Sequence, residues 1–169
     1  MSDSPYLIRR DKVSKARRRF RHPWNPESEV VFSQLAPLTG LKRTGVTLVS
    51  LPPGKESFVA HMHHREEEWV YILSGNATAE IGDVHYPVGA GDFMGFPPGT
   101  VAHNLKNTGD ETLVYLMGGE TMEHEIADFP GLGRRMVRHG ETMEIYDMAD
   151  GRPMDSFALE EVGGEEAPD

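Results

Sequence analysis

Two short segments concentrate side chains able to bind a metal ion. The first, residues 54–75, contains Gly54, His61, Met62, His63, His64, Glu66, Glu67, Glu68 and Gly75. His61 and His63 stand two apart, so on a strand both imidazoles leave the same face. Glu68 opens the next β-rich run and can turn a carboxylate toward the same space. Imidazole with carboxylate suits Zn, Fe, Ni, Cu or Mn. Taken alone, the trio reads rather as three polar residues at a solvent-facing turn. The second segment, residues 91–107, sets His103 after the turn Pro97-Pro98-Gly99, at the start of a strand from which a side chain can enter a barrel.

The elements that must hold these residues are short and β-rich. Runs at 46–51, 69–73, 77–81 and 113–116 are separated by Pro-Pro-Gly, Ser-Gly-Asn, Gly-Asp and Pro-Pro-Gly. With no helical period between them, they predict an all-β sandwich or barrel. Gly82-Asp83 reads as a tight hairpin turn. The chain has 169 residues, 18 of them Gly and 12 Pro, which suits one turn-rich domain. It has no cysteine, so disulfides, thiolate metal sites and thiol nucleophiles are excluded. No apolar stretch approaches the ~18 residues of a membrane span, and the first residues lack a secretory apolar run; the expectation is a cytoplasmic protein.

Charge divides the chain. Residues 1–22 hold eight of the 17 basic side chains, and the remainder carries nine basic against 25 acidic ones. An acidic body repels phosphates and disfavours a nucleic-acid partner. The basic arm is expected to be solvated or packed on the protein's own acidic surface.

Together the two segments resemble the cupin superfamily. The first cupin motif is a Gly, five residues, His-x-His, three or four residues, Glu, six residues and Gly. Here six residues follow Gly54, and His61, His63, Glu68 and Gly75 then fit without adjustment. The second motif, Gly, five residues, Pro-x-Gly, two residues, His, three residues and Asn, is met by Gly91, Pro97, Gly99, His103 and Asn107. Three residues rather than two separate Gly99 from His103. The resemblance implies a double-stranded β-helix (jelly-roll) barrel and one divalent transition-metal ion, Zn, Fe, Ni or Mn. Carried over residue by residue, its ligands are His61, His63, Glu68 and His103. Segments at 40–46, 117–120 and 128–130 look like a bacterial single-domain group, some of whose members are labelled sugar-phosphate isomerase-like.

The expected organisation is a basic arm and connection at 1–39, a barrel at 40–118, an extension at 119–159 on the barrel or a dimer interface, and a disordered acidic tail at 160–169. His64 points away from the ligands if the strand is regular. Glu66 and Glu67 read as solvated, although a shorter turn would put Glu67 in place of Glu68. Trp69, Tyr71 and Leu73 alternate with Val70 and Ile72, and both rows are expected to be buried. Tyr71, Phe96 and Tyr115 are candidate lining residues of a substrate pocket. His85, His124 and His139 receive no role, and Arg134, Arg135 and Arg138 read as a solvated or interface face. The function this implies is a metal-dependent isomerase, dioxygenase or lyase acting on a small molecule, with a sugar or sugar phosphate as one candidate. The alternative is a non-catalytic ligand-binding or sensor module. Apolar residues outside the barrel, Leu38, Leu41 and Leu132 among them, predict a homodimer.

Overall fold

The computed structural model describes residues 4–152. The acidic tail lies outside the described residues. A short helix α1 (Arg10–Lys15) precedes thirteen strands: β1 (Arg18–Phe20), β2 (Val30–Gln34), β3 (Thr44–Leu51), β4 (Met62–His63), β5 (Glu68–Ser74), β6 (Asn76–Ile81), β7 (Val84–Gly89), β8 (Phe93–Phe96), β9 (His103–Lys106), β10 (Leu113–Glu120), β11 (His124–Phe129), β12 (Arg134–His139) and β13 (Thr142–Asp147). Among the described residues, no helix is long and apolar enough to cross a membrane.

One sheet of six strands runs β1-β2-β3-β10-β5-β8. Facing it are a four-stranded sheet, β13-β12-β11-β4, and a three-stranded sheet, β7-β6-β9. The pairings are antiparallel throughout, which lets one face of each sheet meet the core while the other meets water. The core holds Val49, Leu51, Val70, Ile72, Ala79, Met94, Leu105 and Leu113. Ile81 pairs with Val84, and Gly82, at φ +61°, supplies the backbone that a two-residue turn needs at its first central position. Asn107 is fully buried; its amide donates to the Leu51 and Glu111 carbonyls, and its Oδ1 accepts from Gly109 N–H. It staples the end of β9 to the end of β3.

Arg19 and Arg21 of the arm pack on the protein's own acidic surface at Glu29, and β1 and β2 extend the large sheet. Two expectations change. Only one row of β5 is buried. Val70 and Ile72 face the core, whereas Tyr71 is 39% exposed and Leu73 43%. Both rows are apolar in type, so composition alone cannot tell the inner from the outer. Glu66, read as solvated, is buried because the Arg138 guanidinium and the Met122 N–H both donate to its Oε1.

Candidate metal centre

Each ligand candidate is positioned by a specific pairing. β4 lies against β11, with His63 opposite Ala127. His61 and His103 exchange backbone hydrogen bonds in an isolated antiparallel bridge, so those two rings start from neighbouring strands. Glu68 begins β5 between Gly119 of β10 and Phe96 of β8. Gly119 is required there, since a Cβ would overlap the Glu67 carbonyl oxygen. Phe96 lies flat on His103, with 3.6 Å between ring centroids and 1° between planes, which fixes that imidazole.

The outcome is convergence on one atom. Nε2 of His61, His63 and His103 lie 3.6, 3.3 and 3.0 Å from Glu68 Oε2. Ligands adjacent around an ion with bonds near 2.1 Å sit about 3.0–3.4 Å apart, so these spacings suit a shared cation. His61, His63 and Glu68 form one mutual set, with ligand atoms all within 4.8 Å of one another. His103 is tied to it through Glu68.

The far side of each ring shows which lone pair faces the site. His61 Nδ1 is 2.8 Å from the Val59 carbonyl oxygen, and His103 Nδ1 is 3.4 Å from that of Val101. A carbonyl only accepts, so in the neutral rings the proton sits on Nδ1 and the Nε2 lone pair points at Glu68. His63 Nδ1 faces a carboxylate instead, 3.4 Å from Glu125 Oε1. Burial opposes a charge on Glu68, but the rings of His103, His61 and His63 donate to it once protonated at Nε2, and this holds its carboxyl well below the usual carboxylate range. Burial works against a charge on His63, but Glu68, Glu125 and Glu66 prevail and raise its pKa. Lone pairs and an ionised carboxylate aimed at one point repel each other unless a cation or proton lies between them. The donor set fits a divalent ion.

Around this cluster opens a cavity of about 520 Å³. Phe96 and Tyr115 line it; Tyr71 does not, because it stands on the outer face of β5. Burial and the Glu68 charge raise the Tyr115 pKa, so its hydroxyl keeps its proton. His64 leaves the opposite side of its strand, where its Nε2 lies 2.9 Å from Asp128 Oδ2. Asp128 also accepts two hydrogen bonds from Arg135. Arg134 lies over the Trp24 ring, and His124 stacks on His139. Glu67 is exposed, its backbone N–H donating to Glu120.

Sequence reasoning missed Glu125. It is 1% exposed, and its Oε1 accepts from the His64 and Arg65 N–H groups. Among the described residues, the two buried side-chain polar atoms without a hydrogen-bond partner are His63 Nδ1 and Glu125 Oε2. Both belong to this one pair. The usable signal was a carboxylate alternating with Ala127 and Phe129 on a strand, a charge in an otherwise apolar inward row.

Comparison with known proteins identifies the family. The cupin domain family matches residues 47–119. Over 117 residues the chain is 31% identical to Protein SchB of Streptomyces halstedii, spanning 68% of this chain and 76% of that protein. This chain is a cupin. A crystal structure of a proposed sugar phosphate isomerase from Acidithiobacillus ferrooxidans superposes on this cupin with a TM-score of 0.84 at 36% identity, covering 90% of this chain and 98% of that one. Mannose-1-phosphate guanylyltransferase RfbM of Salmonella typhimurium is 42% identical over 65 residues, which are 38% of this chain. The cupin spans only 13% of that enzyme's length, so the likeness is confined to one segment of it.

Proposed function

We propose that this cupin is a metal-dependent enzyme acting on a small molecule, with one divalent transition-metal ion held by His61, His63, Glu68 and His103. The observation that supports it is the shared direction of three Nε2 atoms toward a single Glu68 oxygen. A bound divalent ion there would supply Lewis-acid polarisation of a substrate oxygen. The chain's own residues do the rest. Phe58, Phe129, Met94 and Val70 line the approach and keep water from the substrate. Phe96 fixes His103, the Val59 carbonyl fixes His61, and Glu125 faces the outer nitrogen of His63. Tyr115, protonated at neutral pH, can donate to an oxygen of the substrate in the same cavity.

The test is Zn²⁺ titration followed by calorimetry and thermal melting. Zn²⁺ should raise the melting temperature of the wild type, because an ion that binds only the folded state stabilises it. His61→Ala and His103→Ala should each lose that increase, and His64→Ala should keep it. A wild type that binds neither Zn²⁺ nor Fe²⁺, Ni²⁺ or Mn²⁺ overturns the proposal. Metal and ligand binding with no turnover would make the protein a ligand-binding module.

A further inference from the structure

We infer that the substrate of this site is an uncharged, largely apolar, ring-bearing molecule that presents an oxygen to the metal, and that a phosphorylated sugar does not fit. The inference rests on the metal-dependent reading for its oxygen donor and on the cavity wall for everything else. Recognising a phosphate requires cations or clustered backbone N–H groups, and Arg is favoured because its fork matches the oxygens. Among the described residues lining the cavity there is no Lys or Arg.

Four basic side chains of the surrounding strands are already engaged. Arg134 lies over Trp24, Arg135 is held by Asp128, and Arg138 by Glu66. Lys106 pairs with Glu56. The charged groups that face the space are the three histidines and Glu68, and all four belong to the metal cluster. Two of the neutral polar liners satisfy each other: Ser57 Oγ donates to Asn104 Oδ1, while Leu105 N–H donates to Ser57 Oγ. A sugar placed here would lose water from several hydroxyls with few partners to replace it, which is costly for each one.

What remains is an apolar wall with aromatic character. Phe20 stacks on Phe58 at 5.6 Å, Phe58 lies 5.1 Å from the His61 ring, and Phe129 lies 6.0 Å from it. These rings form a path from the cavity toward the metal ligands. Met94, Met117 and Met136 complete the wall with flexible thioethers that adapt to a flat ring. The volume of about 520 Å³ falls within the usual range for small-molecule sites.

The experiment compares 2-naphthol with glucose 6-phosphate by calorimetry, on Zn²⁺-loaded and on EDTA-treated protein. On the loaded protein 2-naphthol should bind at least tenfold more tightly than glucose 6-phosphate, and part of that preference should persist after EDTA. Gln34→Arg, at an exposed position lining the cavity, should narrow the ratio by bringing in a cation. Equal or tighter binding of glucose 6-phosphate, or no binding of 2-naphthol by either form, overturns the inference. Failure to bind Zn²⁺ instead defeats the metal-dependent reading, and the EDTA-treated arm still decides the cavity's preference.

Discussion

Replacing Glu125 tests whether the carboxylate behind His63 governs metal binding. The side chain is buried, accepts from two backbone N–H groups and lies 3.4 Å from His63 Nδ1. Partners on the far nitrogen of a ligating histidine set its tautomer and orientation, and losing one typically costs about 10–100-fold in metal affinity. That range corresponds to about 1.4–2.8 kcal/mol. Glu125→Ala would also strand two N–H groups and leave a void, a loss of about 2–4 kcal/mol of fold stability that confuses the reading. Glu125→Gln is the sharper probe. Its carbonyl oxygen, in the place of Oε1, can still accept from His64 and Arg65 and still faces His63 Nδ1, but the negative charge beside that ring is gone. Zn²⁺ affinity, measured by competition with a chromogenic chelator, should fall about tenfold while the melting temperature of the metal-free protein moves little. Nitrogen NMR of labelled histidine should show the His63 ring titrating lower, because the Glu125 charge that helps to raise its pKa is gone. Unchanged affinity with an unchanged His63 signal would refute the argument.

Three further outcomes follow from contacts elsewhere. Arg135 hydrogen bonds and His64 hold the Asp128 carboxyl below its ordinary pKa, so its contribution is present above the unfolded value of about 3.9 and is lost as pH falls through the folded one. Asp128→Asn should therefore cost about 1–2 kcal/mol at pH 7, limited by the partial exposure of Arg135, and the two melting curves should converge on acidification below about pH 4. Gly119→Ala forces a Cβ against the Glu67 carbonyl beside Glu68; it should cost about 1–3 kcal/mol and weaken Zn²⁺ binding together, and a variant that melts and binds like wild type would contradict the β5–β10 register. Phe93 is 64% exposed beside Tyr71 and Leu73 on the outer face of the large sheet, so a dimer is expected by light scattering at micromolar concentration, with Phe93→Glu monomeric; a monomeric wild type rejects it.

What could be read from the chain tracks the range of the interaction involved. His61 and His63 share a face because alternation along a strand is local, and the glycine and proline spacings around them carry the barrel. Tyr71 was harder. Trp69, Tyr71 and Leu73 are as apolar as the row between them, and only the position of β10 and β8 on either side decides which row turns inward. Glu66 looked like one of two solvated carboxylates because its partner, Arg138, arrives from 72 residues away. Glu125 belongs to no motif. Its meaning depends on β11 docking against β4, a pairing that no local pattern announces.

That docking also enlarges the functional unit. β4 is two residues long, and a strand so short has little order of its own. It is held by β11 on one edge, while the His61–His103 bridge fixes its approach, and Gly99 N–H donates to the His63 carbonyl from the turn before β9. β11 lies beyond the 47–119 segment that matches the family, yet it provides the sheet that seats His63, the carboxylate behind it, and Phe129 in the cavity wall. The four ligand candidates are carried by the barrel, but the aim of His63 and the chemical character of the cavity depend on the extension that follows it.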